Sequence, residues 1–156
     1  MGKFNNKISA EYNPPRKWIL ERALSYTNPD IDEAALERVG IKVVGSKITV
    51  KKDFVTDLAS VPRMCWAFIA PWDVARAAII HDLLYKCIRQ YRKAHCKTLK
   101  NSEDPKVVSD AKKASDDVFH MAMKDAEPSV SGWKIAAAYY AVRMFGRWSI
   151  IPREGD

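Results

Sequence analysis

The stretch FVTDLASVPRMCWAFIAPWDVARAAIIHDLLY, residues 54–85, decides the fold. Phe54-Val55 reads as the end of a strand and Thr56-Asp57 as a polar turn. Ser60 caps a short helix that takes Pro62 in its first turn and stops at Pro71. Asp73 then caps a longer helix, in which Val74, Ala77, Ala78, Leu84 and Ile88 recur at helical spacing. In the middle of that helix stand His81 and Asp82, adjacent and polar in an otherwise apolar run.

Upstream of this stretch the signals are those of strands. Trp18 to Tyr26 has strand-tolerant apolar positions, and Asn28-Pro29-Asp30 marks a turn. Asp30 or Asp32 caps a short helix, DEAALERV, that Gly40 stops. Ile41–Val44 and Ile48–Val50 flank Gly45-Ser46, a two-residue hairpin signal. Downstream the signals are helical. Asp104-Pro105 opens a helix that runs to about Ala126, and Pro128 breaks it. Ser131 caps a last helix with Trp133, Ala136, Ala137, Tyr140 and Met144 on its apolar face and Gly146 at its close. The expected class is α+β: a small antiparallel sheet in the N-terminal third, packed against three or four helices. Residues 1–16 read as a polar arm, 17–148 as a single domain and 149–156 as a tail.

At 156 residues, 47% apolar and 29% charged, the chain is long enough for one ordinary core. Its net charge of +7 permits an acidic partner without requiring one. Cys65, Cys87 and Cys96 are odd in number and lack CxxC spacing, which argues for thiols in a reducing compartment. The first residues, MGKFNNKISAEYN, have no apolar signal core, and the apolar runs are interrupted at Arg76 and at His81-Asp82. Synthesis in the cytoplasm and no membrane span are therefore expected.

Asp57 follows a strand, His81 and Asp82 sit mid-helix, and Asp116 lies on the next long helix. Two antiparallel helices can set His81 or Asp82 opposite Asp116 while the strand-end turn brings Asp57 from a third direction. One imidazole with two or three carboxylates is a ligand set for one divalent transition metal (Zn, Mn or Fe). His120, one turn after Asp116, adds a further nitrogen. Against this stands a structural network in which the pair binds Thr56, Ser60 or Arg63 and fixes the turn. Neighbouring helix residues point about 100° apart, so His81 and Asp82 cannot both aim squarely at one ion. The pair resembles that of HD-type phosphohydrolases, but no His precedes His81. HExxH, GxSxG, Walker and GxGxxG patterns are absent. A second candidate is the basic run Lys86, Arg89, Arg92, Lys93, Lys97 and Lys100, suited to phosphates or an acidic protein. Its bland reading is a solvated helix end whose cations complement the helix dipole.

The segments TDLASVPR (56–63), AAIIHDLLY (77–85), SDDVF (115–119) and YYAVRMFG (139–146) occur in that order. Together they resemble a phage and prophage family, domain of unknown function 1353, over about residues 18–148. Carried onto this chain, the family's polar positions fall on Thr56, Asp57, Ser60, Pro62, His81, Asp82, Tyr85 and Asp116. Ser115 stands where the family has Ala, and residues 27–40 and the basic segment after Tyr85 look like insertions. The resemblance implies a bacteriophage product, made in the host cytoplasm and then carried in the virion. It assigns no activity. Two expectations follow. One is a virion-associated protein (tail, neck or another assembly part) that contacts other virion proteins and uses its polar cluster to fix its fold. The other is a small metal-dependent hydrolase acting on cell wall or nucleic acid during infection. Nucleic acid is the less favoured partner for the first.

Overall fold

The structure is a computed structural model that describes residues 1–15, 17–58, 74–98, 104–127 and 129–154, with 96–98 described by backbone alone. Its strands are β1 (Lys3–Phe4), β2 (Ala10–Asn13), β3 (Lys17–Leu20), β4 (Leu24–Thr27), β5 (Lys47–Val50) and β6 (Val55–Thr56). Its helices are α1 (Glu33–Glu37), α2 (Ala75–Thr98), α3 (Pro105–Lys124) and α4 (Gly132–Ser149). The class is α+β, as the residue pattern predicts.

The strands form two antiparallel sheets of three, ordered β1-β4-β5 and β2-β3-β6, where one sheet was expected. The division falls inside Trp18–Tyr26. Glu21-Arg22-Ala23 interrupts that run, so β3 pairs with β6 in one sheet and β4 with β5 in the other. The N-terminal segment is not a free arm. β1 adds to β4 and β2 to β3, and the Gly2 amide donates to Asp125 at the end of α3 (2.9 Å). Polar strand residues at a sheet edge do not alternate in hydropathy, so edge strands of this kind escape a search for apolar alternation.

β5 has the expected period of two, with Ile48 and Val50 buried and Lys47 and Thr49 exposed. Gly45 and Ser46 both hold positive φ (57° and 55°), and Val44 and Lys47 exchange backbone hydrogen bonds across them. That is the geometry a two-residue hairpin requires. Its first arm is a single bridge, Val43 to Ile48, rather than a strand. Asp32 caps α1 by accepting from the Ala35 amide, and Asp104 caps α3 by accepting from the Lys106 amide. The caps expected from Ser60 and Asp73, the Pro62 turn and Arg63 all lie outside the described residues.

Helix α2 packs on α3 and on strands β4 and β5, and α3 packs on α4. The core is shared by Leu20, Tyr26 and Ile48 from the sheets and Ile80, Leu84 and Ile88 from α2. Val118 and Phe119 from α3 and Ala138 and Val142 from α4 belong to it as well. Helix α4 turns the other way from expectation. It buries Ile135, Ala138, Ala141, Val142 and Gly146, and Trp133, Ala136, Ala137, Tyr140 and Met144 face outward. Gly146 lies within the helix, which ends three residues later at Ser149. No helix among the described residues is long and apolar enough to cross a membrane.

Candidate functional site

Asp116 is the centre of the helical half. It is fully buried on α3, and four side chains from three helices converge on it. Tyr85 Oη donates to Oδ1 at 2.6 Å, and His81 Nε2 lies 3.0 Å from the same oxygen. Lys112 Nζ donates to Oδ2 at 2.7 Å, and an Arg143 guanidinium N–H donates to it at 3.1 Å. The positions follow from helical spacing. His81 and Tyr85 are four apart on α2, Lys112 and Asp116 four apart on α3, so each pair shares one face.

Burial opposes ionisation of Asp116, but the hydrogen bonds it accepts from His81, Lys112 and Tyr85 win and hold its carboxyl down to about 2. Lys112 also donates to the carbonyls of Val142 and Arg143 (3.2 and 3.4 Å), tying α3 to α4. Burial dominates at His81 and lowers its pKa. A neutral ring with its proton on Nε2 fits the bond to Asp116. Its Nδ1 is buried with no hydrogen-bond partner among the described residues, a cost that packing against Tyr85 and Phe119 (ring centroids 4.0 and 4.9 Å) accompanies. Gly146 is where α4 closes over this cluster. A Cβ there would lie 2.2 Å from Tyr85 Oη and 3.3 Å from Lys112 Cε.

Asp82 belongs to a second cluster. It points to the strand end, where Thr56 donates its hydroxyl to Asp82 Oδ2, and the Leu58 amide donates to Thr56 Oγ1 at 3.1 Å. Leu58 is buried and holds φ at 53°, a conformation that a branched side chain seldom adopts. Burial pushes the Asp82 carboxyl up to about 7, Thr56 counteracts this, and the charge of exposed Asp57 adds to it.

The expected four-residue set is thus divided. His81 meets Asp116, Asp82 meets Thr56, and Asp57 is exposed and acts on Asp82 through its charge. Among the described residues no three His, Cys, Asp or Glu side chains group as a metal site. His120 stacks on Tyr139 (4.6 Å between centroids) instead of joining Asp116. Tyr85, one of the polar positions that the family resemblance carries onto this chain, donates to Asp116. Ser60 and Arg63 lie outside the described residues.

Two members of the cluster, Lys112 and Arg143, escape a reading for metal ligands because cations are not ligands. Their signal was the i−4 spacing of Lys112 from Asp116 and the Arg inside YYAVRMFG. Of the basic run, Lys86, Arg89, Arg92 and Lys93 are engaged in the fold, and the side chains of Lys97 and Lys100 lie outside the described residues. Arg89 and Arg92 donate to the carbonyls of Ser149 and Ile150, and Lys93 to those of Arg153 and Glu154. Lys86 lies over the Phe54 ring at 5.5 Å. These contacts satisfy carbonyls at the C-terminal end of α4 and dock residues 149–154, so the described part of the expected tail is held.

Fold and site together define an α+β protein whose helices are pinned through one buried carboxylate. The chain belongs to the family described as protein of unknown function (DUF1353), whose profile matches residues 37–142. The match takes in Thr56, Asp57, His81, Asp82, Tyr85, Lys112 and Asp116 and stops one residue before Arg143. No curated protein and no solved structure matches the chain.

Proposed function

We propose that the protein is a bacteriophage virion-associated component, a tail, neck or other assembly part, whose Asp/His cluster fixes conformation and performs no chemistry. The observation that carries this reading is the occupancy of Asp116. Both carboxylate oxygens are taken by protein donors, and two of the four donors, Lys112 and Arg143, are cations. A divalent ion arriving there would have to displace hydrogen bonds and sit beside two positive charges. Such a network specifies how three helices meet, which an assembly part needs and a hydrolytic centre does not. Other virion proteins are the proposed partners. Nucleic acid is disfavoured because Arg89, Arg92 and Lys93 are engaged with α4 and the residues after it.

A second reading, the small metal-dependent hydrolase, has one observation in its favour. The carboxyl of half-buried Asp82, which desolvation and the charge of Asp57 raise to about 7, lies in a range suited to a general acid. One experiment separates the two. Particles purified from cells producing the parent phage are searched for the chain by mass spectrometry, and the purified protein undergoes elemental analysis. Presence in the particle at fixed copy number, without equimolar metal, is the expected result. Absence from particles, with murein or nucleic-acid hydrolysis abolished by Asp82→Asn, would establish the second reading instead.

A further inference from the structure

The outward face of α4 is wider than a monomer needs. Trp133, Tyr140, Met144 and Trp148 are 59%, 64%, 64% and 52% exposed, and Ala136 and Ala137 lie between the first two. At 100° per residue these positions fall within one stripe, opposite buried Ile135, Val142 and Gly146. Side chains of roughly 150–250 Å² at those exposures, with the two alanines and the Arg147 stem, offer on the order of 700 Å². A symmetric pair that covered these faces completely would bury about 1,400 Å², within the range of stable interfaces.

We propose that this face binds a second copy of the chain, as an antiparallel α4–α4′ pair with its two-fold axis at Tyr140. The order of side-chain sizes argues for this occupant and this direction. The small residues, Ala136 and Ala137, lie one turn before Tyr140, and the bulky ones, Met144 and Trp148, lie one and two turns after it. An antiparallel pair sets Met144 of each copy against Ala136 of the other and lets the backbones approach to the usual 8–10 Å. It also brings Arg147, which already lies over Trp148 at 4.3 Å, opposite Trp133 of the other copy. The two Arg147 residues are then about 21 Å apart along the axis, beyond the screening length at physiological salt. A parallel pair would stack Trp148 on Trp148 and Arg147 on Arg147. The interface is self-complementary only one way round. It rests on the α4 face alone and holds whether or not the protein is carried in a virion.

The test is sedimentation equilibrium of the full chain and of Tyr140→Glu, together with cysteine cross-linking. The wild type is expected at twice the chain mass at micromolar concentration. Tyr140→Glu sets two carboxylates together on the axis and weakens association about 100-fold or more, with an unchanged far-UV spectrum. With Cys65, Cys87 and Cys96 replaced by alanine, Ala136→Cys mixed with Met144→Cys yields a covalent dimer on oxidation, and neither variant does so alone. A wild type that stays monomeric at 100 µM overturns the proposal. So does a dimer indifferent to Tyr140→Glu, or one in which Ala136→Cys cross-links to itself. Binding of anionic phospholipid vesicles by a protein that remains monomeric also overturns it and gives the face to a membrane.

Discussion

Replacing Asp116 by alanine removes the acceptor that four buried or half-buried donors share, and the cost can be built from those donors. Lys112 keeps the carbonyls of Val142 and Arg143, so its ammonium is only partly orphaned. Arg143, whose side chain is 35% exposed, can turn toward water. Tyr85 Oη and His81 Nε2–H cannot, because both residues are buried among Phe119 and the α2–α3 packing. Breaking a buried ion pair from one side costs about 3–5 kcal/mol. At the lower end of that range, allowing for Lys112 and Arg143, a chain of this size loses on the order of 10 °C in Tm. Urea unfolding at pH 7, followed by circular dichroism, measures it. A double-mutant cycle sharpens the test. Lys112→Met removes the charge that Asp116→Ala strands, so the double variant should lose less than the sum of the singles. A loss under about 1 kcal/mol for Asp116→Ala, or strict additivity with Lys112→Met, would refute the view that the carboxylate pins the helices. The same group sets an acid limb. Its folded pKa, about 2, lies below that of the unfolded chain. Its contribution is therefore complete above about pH 4 and is lost as pH falls from there toward 2, a limb that Asp116→Ala should lack.

Gly146→Ala drives a methyl group into Tyr85 Oη and is expected to cost about 1–3 kcal/mol, part of it recovered in Gly146→Ala/Tyr85→Phe; equal melting of the single variant and wild type would refute the close approach. Burial raises the Asp82 carboxyl in the folded state to about 7, so stability falls as pH rises from about 4 to 7 and is flat above. Asp82→Asn should therefore gain in Tm relative to wild type at pH 8 and lose that advantage at pH 4; a gain independent of pH counts against it. Burial lowers the His81 pKa, so its ring carbon-bound protons should titrate by NMR with a midpoint below that of a free imidazole, whereas a midpoint at or above the free value of about 6.5 would mean an exposed ring. Arg92→Ala removes the donor to the Ile150 carbonyl and should speed proteolysis after residue 149, with cleavage unchanged if the contact is idle.

Much of the chain was legible where its signals are local. Asp104-Pro105 and Asp32 act as the caps their residue types suggest, and Gly45-Ser46 turns the hairpin because both positions adopt positive φ. The strands β1 and β2 were not legible. Lys3–Phe4 and Ala10–Asn13 become strands only by pairing with β4 and β3, a tertiary event with no trace in apolar alternation. The face of α4 differs from expectation for a related reason. Its most hydrophobic stripe, Trp133 to Met144, is the one that hydropathy turns inward, yet the buried stripe is the smaller one of Ile135, Ala138, Val142 and Gly146. Close packing on α3 selects small residues where Tyr85 and Lys112 must fit beneath the helix. Hydrophobicity alone does not say which of two apolar stripes faces the core.

The site shows the same division between what a sequence names and what only packing can settle. Asp57, His81, Asp82 and Asp116 were identifiable as polar residues in apolar surroundings, and helical geometry already forbade His81 and Asp82 from sharing one target. What the sequence could not decide was whether the carboxylate would face ions or donors. That depends on Lys112 and Arg143, 4 and 27 residues from Asp116, and on Gly146 letting α4 come close enough for Arg143 to reach it. With His81 and Tyr85 alone, Asp116 would keep an open oxygen and remain a plausible ligand. With both cations present, its second oxygen is occupied and its charge is over-compensated. The two added donors turn a candidate metal ligand into the fixed point of a three-helix junction.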